Sequence, residues 1–260
     1  MPGLQSAVLN LDDAFGRELA RRMAGRVRTI GTSLEAAAAP APVDTFITLH
    51  GGEVISPLGR AAFATRQVGR FNRANALAVL GALIAYGLDF ADAAHLIAQL
   101  PDVPGRMERI GERPLVIVDY AHTPDALENV LTTLQPVARE RGGRLVVVFG
   151  AGGDRDPAKR PVMGEVAQRL ADRALITSDN PRSEDPQRII DAIVAGMRGG
   201  AACEPDRARA IERAVLDAKP EDVVLIAGKG HESTQEIAGK RLPFSDQAVA
   251  RAALGRRASP

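Results

Sequence analysis

Leu115-Val116-Ile117-Val118, Leu145-Val146-Val147-Val148-Phe149, Ala174-Leu175-Ile176 and Val223-Val224-Leu225-Ile226-Ala227 are the four segments from which the architecture follows. Each is an apolar run with no polar alternate to turn toward water, so each reads as a strand buried on both faces. Between them apolar residues recur at helical spacing: Leu127, Val130, Leu131 and Leu134, then Met163, Val166, Ala167 and Leu170. Ile190, Ile193, Val194 and Met197 repeat the pattern, as do Ile211, Ala214, Val215 and Ala218. Buried strands alternating with amphipathic helices specify an α/β fold, a parallel sheet covered on both faces.

Each run ends in a polar segment. The first gives Asp119-Tyr120-Ala121-His122-Thr123-Pro124 and the second Gly150-Ala151-Gly152-Gly153-Asp154-Arg155. Ser178-Asp179-Asn180-Pro181-Arg182 follows the third, and Gly228-Lys229-Gly230-His231-Glu232 the fourth. Ligands of open parallel sheets bind outside the carboxyl ends of the strands, so the four segments are expected to converge on one edge. There the glycines admit close backbone approach and offer N–H donors to an anion. Arg155 and Arg182 supply planar forks for carboxylate or phosphate, and Asp179 and Glu232 can hold an ammonium group. Two guanidinium groups and two carboxylates describe a pocket for a zwitterion such as an amino acid.

Residues 1–108 are more mixed and read as a separate domain from 109–260. Ala7–Leu11 reads as a short strand, 13–24 as a helix, and Thr45–Leu49 with Glu53–Ile55 as a hairpin around His50-Gly51-Gly52. Leu77, Leu80 and Ile84, then Ala93, Ile97 and Leu100, mark two helices closed by Pro101 and Pro104. The 260 residues carry 33 Lys+Arg against 32 Asp+Glu, a formal charge of +1. That balance argues against a general nucleic-acid or membrane-surface binder. The lone Cys203 makes no internal disulfide, no Cys/His cluster suggests a metal site, and the N-terminal stretch lacks the pattern of a signal peptide. A cytoplasmic protein is expected.

Three features are decoys. Ala227-Gly228-Lys229-Gly230 faintly suggests a phosphate loop, but GxxxxGK[ST] would need glycine at Val223 and a hydroxyl residue at Gly230. His95, in an alanine-rich helix, and Cys203, with no nearby base, read as structural and inert.

DYAHTPDALENVL (119–131), FGAGGDRDPAKRPVMG (149–164), SDNPRSEDP (178–186) and VVLIAGKGHE (223–232) together resemble the Mur ligase family, in its diaminopimelate-adding branch. GRFNRANALA (69–78) and PGRME (104–108) resemble the end of that family's central domain. The resemblance implies a Rossmann-like C-terminal domain preceded by part of an ATP-binding central domain. It also implies ATP-dependent amide synthesis through an acyl phosphate, with Mg2+, joining meso-diaminopimelate to a UDP-N-acetylmuramoyl dipeptide. Carried over by motif, Asn75, Arg106, Asp119 and His122 match positions that contact ATP. Arg155, Asp179, Asn180, Pro181, Arg182, Gly228 and Glu232 match the amino-acid pocket. The DNPR form belongs to enzymes taking meso-diaminopimelate, whose far carboxylate Arg182 can clamp where lysine has none.

No GxxxxGK[ST] occurs in the sequence, and the family's metal-binding glutamate and carbamylated lysine have no counterpart in it, so no catalytic or metal-binding residue is assigned. Residues 1–100 are expected to leave a sheet edge unpaired. Other readings are an amino-acid-binding module without catalysis, and a folate- or cyanophycin-type ligase of the same superfamily. Because phosphate positioning and charge neutralisation carry most of phosphoryl transfer, the purified chain with ATP, dipeptide nucleotide and meso-diaminopimelate is expected to release no phosphate at a ligase-like rate in a phosphate-release assay.

Overall fold

The computed structural model describes residues 3–65 and 68–258, and these fall into two compact units, Met1–Pro101 and Asp102–Pro260. The first unit runs β1 (Ser6–Asn10), α1 (Ala14–Met23), β2 (Arg28–Ser33), β3 (Thr45–His50), β4 (Glu53–Ser56), β5 (Gly59–Ala62), α2 (Arg70–Tyr86) and α3 (Phe90–Ala98). Its five-stranded sheet has the order β1-β2-β3-β4-β5, parallel over the first three strands and an antiparallel meander thereafter. Asp13 caps α1 and Asp89 caps α3, each side chain accepting backbone N–H groups of the first turn. Leu77, Leu80 and Ile84 of α2 and Ala93 and Ile97 of α3 bury against Ile30, Ile47 and Val54 of the sheet. Leu100 lies beyond the end of α3, where Gln99 caps the helix. β1 pairs with β2 alone and forms an edge of the described sheet.

The second unit contains β6 (Glu108–Glu112), β7 (Leu115–Asp119), α4 (Pro124–Glu140), β8 (Leu145–Phe149), α5 (Lys159–Leu170), β9 (Arg173–Ile176) and α6 (Pro186–Val194). β10 (Ala202–Cys203), α7 (Arg207–Asp217), β11 (Val223–Ala227), the hairpin β12 (Thr234–Ile237) and β13 (Lys240–Pro243), and α8 (Asp246–Ala258) complete it. The six-stranded sheet has the order β10-β9-β8-β11-β7-β6 and is parallel except for the edge strand β6, so β11 slots between β7 and β8. Residues 102–108 fold with this unit rather than before it, because Met107 N donates to Asp119 Oδ2 at 2.8 Å and β6 pairs with β7 from Glu108 onward.

The pleat sorts the apolar runs between two helical layers. Val116, Val118, Val146, Val148, Val224 and Ile226 face α7 and α8, where Ile211, Val215, Ala250 and Ala253 bury. Ile117, Val147 and Leu225 are equally buried on the other side, the side of Leu127, Leu131 and Leu134 of α4 and Met163 of α5. Both faces are thus covered, which is why these strands carry no alternating polar residue. No helix among the described residues is long and apolar enough to cross a membrane. Ile226, with no exposed surface in the central strand, is expected to cost about 2–5 kcal/mol when cut to alanine, read as a fall in the urea midpoint at unchanged slope.

Candidate functional site

The carboxyl ends of β7, β8, β9 and β11 open on one cavity of ≈ 500 Å³. His122 comes to it from the β7 end, Arg155 from the β8 loop, Asp179, Asn180 and Arg182 from the β9 loop, and Gly228 and Glu232 from β11. Tyr120, Lys159 and Arg160, which stand within the quoted motifs without an assigned role, also line it. Pro181 is buried behind the wall, its carbonyl 1.9 Å from where a Cβ on Gly153 would stand. Gly150 is equally confined, with Thr177 O 2.3 Å from its hypothetical Cβ. Only glycine permits the β8 and β9 loops to lie this close.

Those two loops are zipped together. Gly153 N donates to Asn180 O at 2.9 Å, and Arg182 Nη1 donates to Gly153 O at 2.6 Å. Asp154 and Arg182 both adopt left-handed backbone, φ +54° and +52°, and Ser183 Oγ donates to Asp154 Oδ1 at 2.6 Å. Left-handed backbone is uncommon for residues other than glycine and is held by surrounding contacts. Underneath, the buried Arg160 forks onto Glu184, Nη1 to Oε2 at 2.9 Å and Nη2 to Oε1 at 2.7 Å. Glu184 Oε1 also accepts from Asp154 N at 2.6 Å.

The second wall is organised around Lys229, whose side chain has no exposed surface. Its Nζ donates to Asn180 Oδ1 at 2.8 Å and to Glu232 Oε2 at 3.0 Å, and lies 3.6 Å from Asp179 Oδ1. Asn180 Nδ2 adds a second donor to Glu232 Oε2 at 2.9 Å. The Gly-Lys-Gly turn is therefore not a phosphate cradle: its ammonium is consumed by the site's own acceptors. Asp179 and Glu232, read from sequence as two free carboxylates for a ligand's ammonium, already share an internal cation. Burial pushes the Asp179 carboxyl above its usual range, with Arg207 and Lys229 pulling it back. Glu232 is also raised by burial, but the hydrogen bonds from Asn180 and Lys229 outweigh this and leave it below the usual range.

The residues matched to ATP contacts are placed as follows. Asn75 is an exposed residue of α2 in the first unit. In the second, the exposed Arg106 guanidinium lies 4.8 Å from the centre of the Tyr120 ring, and His122 meets that ring edge-on at 4.7 Å. Asp119 is buried, with Oδ2 accepting from Met107 N and Oδ1 from Ala121 N, both at 2.8 Å. Burial raises its carboxyl, against those two hydrogen bonds and Arg106. Its evident structural task is to close the 105–107 turn onto β7. Cys203 is a free, exposed thiol pushed up by partial burial and Asp191, and His95 contacts Gln99 on the outer face of α3.

A charged cavity along the carboxyl edge of a parallel sheet stands where open α/β sheets generally take small polar ligands. Residues 105–230 match the family model described as Mur ligase, glutamate ligase domain, and that part of the chain belongs to the family. It is 50% identical over 258 residues to the UDP-N-acetylmuramoyl-L-alanyl-D-glutamate–2,6-diaminopimelate ligase of Chromobacterium violaceum, covering 97% of this chain and 52% of that protein. The enzyme of the same name from Ralstonia nicotianae is 47% identical over 270 residues, 98% of this chain and 52% of its own length. A solved structure of an enzyme of that name superposes with a TM-score of 0.70 at 36% identity, over 99% of this chain and 54% of that one. A pseudomurein peptide ligase from Methanothermus fervidus, 17% identical with a TM-score of 0.62 over 96% of this chain and 56% of its own, shares the fold. The chain spans about half the length of the curated relatives it matches.

The hydrogen bond from Arg160 holds Glu184 below its usual range, joined by Asp154 N and opposed by slight burial. A depressed carboxylate stabilises the fold above its unfolded value and loses that contribution as pH falls through the folded one. Glu184→Gln is therefore expected to lower the thermal midpoint at neutral pH, with the gap to wild type closing as the solution is acidified below the ordinary glutamate range, measured by circular dichroism melts.

Proposed function

We propose that the chain is the amino-acid-binding part of an ATP-dependent ligase that joins meso-diaminopimelate to UDP-N-acetylmuramoyl-L-alanyl-D-glutamate in peptidoglycan synthesis. The observation that carries this reading is the single cavity bordered by Arg155 and Arg182 as well as Asp179 and Glu232. Meso-diaminopimelate has an ammonium and a carboxylate at each end, so it needs both signs of charge at two separated points. Arg182 spends Nη1 on Gly153 O and keeps further N–H donors for a ligand carboxylate. Both internal donors to Glu232 fall on Oε2, leaving Oε1 without a protein donor among the described residues. The names of the relatives supply the particular amino acid.

ATP acts in this chemistry as a substrate that activates the dipeptide carboxylate for attack by the incoming amine. Arg106 on the Tyr120 ring, beside His122, offers a cation and planar surfaces that suit a nucleotide. Asp119 and Asn75 are assigned to it by motif alone. Among the described residues no group of three or more His, Cys, Asp or Glu side chains is placed to hold a metal ion. What the chain's own side chains do is orient the amino acid and exclude those lacking a second carboxylate.

Calorimetry of the chain with meso-diaminopimelate and L-lysine tests the reading. The first is expected to bind and the second to bind about tenfold or more weakly, because a built carboxylate subsite is left unfilled. Arg182→Ala should abolish the difference between the two. A folded wild-type chain that takes up no meso-diaminopimelate overturns the proposal.

A further inference from the structure

Lys229 is a lysine with no exposed surface, set behind the wall that Asp179, Asn180, Gly228 and Glu232 give a charged cavity. Gly228 at φ +122° and Gly230 at φ +55° turn the chain on either side of it. A Cβ at Gly228 would stand 2.9 Å from Asp179 Oδ2, and one at Gly230 2.8 Å from Tyr120 Cβ, so the turn is shaped to send the lysine inward. Burying an ammonium is costly unless it is paired and hydrogen-bonded. Here it finds Asn180 Oδ1, Glu232 Oε2 and Asp179 Oδ1.

We propose that Lys229 is a positioning residue that sets both the geometry and the net charge of the ligand-facing wall, tuning the cavity to a neutral diamino dicarboxylate rather than to a cationic amino acid. The inference rests on the proposed function and deepens it. Lys229 fixes Glu232 by occupying Oε2, and joins the Glu236 N–H in occupying the Asn180 amide oxygen, so that Nδ2 points to Glu232. The charges facing these groups are Asp179, Arg182 and, from the hairpin, Glu236, with Arg207 and Asp246 behind. Arg207 is matched by Asp246, so Lys229 leaves one of the two carboxylates Asp179 and Glu232 uncompensated. One ligand ammonium balances that wall. Without Lys229 the wall would carry two uncompensated carboxylates, which repel a ligand's second carboxylate and favour L-lysine with its net positive charge.

The experiment is calorimetry on wild type, Lys229→Met and Lys229→Gln with meso-diaminopimelate and L-lysine across the acidic to neutral range. Both variants are expected to lose about tenfold or more for meso-diaminopimelate and less for L-lysine. Glutamine keeps a hydrogen-bond donor but no charge, so it should shift the ratio as methionine does. The acid limb of binding should also move to higher pH, since Glu232 loses the ammonium that helps hold its carboxyl low. A merely structural role would weaken both ligands equally and leave the limb in place, and that result in the folded variants overturns the inference alone. Absence of wild-type binding overturns the proposed function and this inference together. If neither variant folds, nitrogen NMR of wild type decides: the Lys229 ammonium resonance must move on saturation with meso-diaminopimelate, and a fixed resonance overturns the proposal.

Discussion

Beneath the cavity a guanidinium with no exposed surface ties together four pieces of chain that are distant in sequence. Arg207, the first residue of α7, donates from Nε and Nη2 to the two oxygens of Asp246 at 2.8 and 2.7 Å. It also donates to Ser178 O at 3.2 Å and Ala227 O at 3.0 Å, the chain just past β9 and the last residue of β11. A buried ion pair is not favourable by default, since desolvation offsets much of the attraction. Breaking one by removing a partner leaves a bare buried charge, at a cost of about 3–5 kcal/mol. The constraint is therefore positional: Asp179 follows Ser178 and Gly228 follows Ala227, so Arg207 sets the separation of two sides of the cavity. The Lys229 and Arg160 networks are built on that frame.

The parallel core was legible because doubly buried strands leave an unmistakable apolar run, and β7, β8, β9 and β11 lie where those runs stand. The convergence of their terminal segments followed from topology. The weaker elements had no such signal. β10 has two residues, β6 is a half-buried antiparallel edge with a register shift between Arg109 and Gly111, and β13 is exposed along its length. None presents an apolar run or a clean alternation.

Within the cavity, the convergence of residues was readable and their pairing was not. Arg155, Asp179, Asn180, Arg182, Gly228 and Glu232 all border one cavity, as their positions after the strands implied. Lys229 sat in a motif whose glycines suggested a phosphate loop, and nothing local says that a lysine points inward. Arg207 is one of three arginines in Arg-Ala-Arg-Ala-Ile-Glu-Arg, and its partner Asp246 is remote in sequence. Arg160 and Glu184 were similarly invisible, because long-range charge pairing has no period.

The left-handed backbone at Arg182 also has an evolutionary side. A residue that borders the cavity is itself held in a conformation that few side chains tolerate, its N–H donating to Glu236 O at 3.0 Å in a one-residue bridge to the hairpin. Side-chain chemistry and main-chain shape are thus inherited together at this position. Asparagine or aspartate can enter it with little penalty, whereas valine, isoleucine or threonine would pull the hairpin and the glycine loop out of place. Replacement at residue 182 is channelled into a narrow set of side chains, and a lineage taking another route must first rebuild the loop.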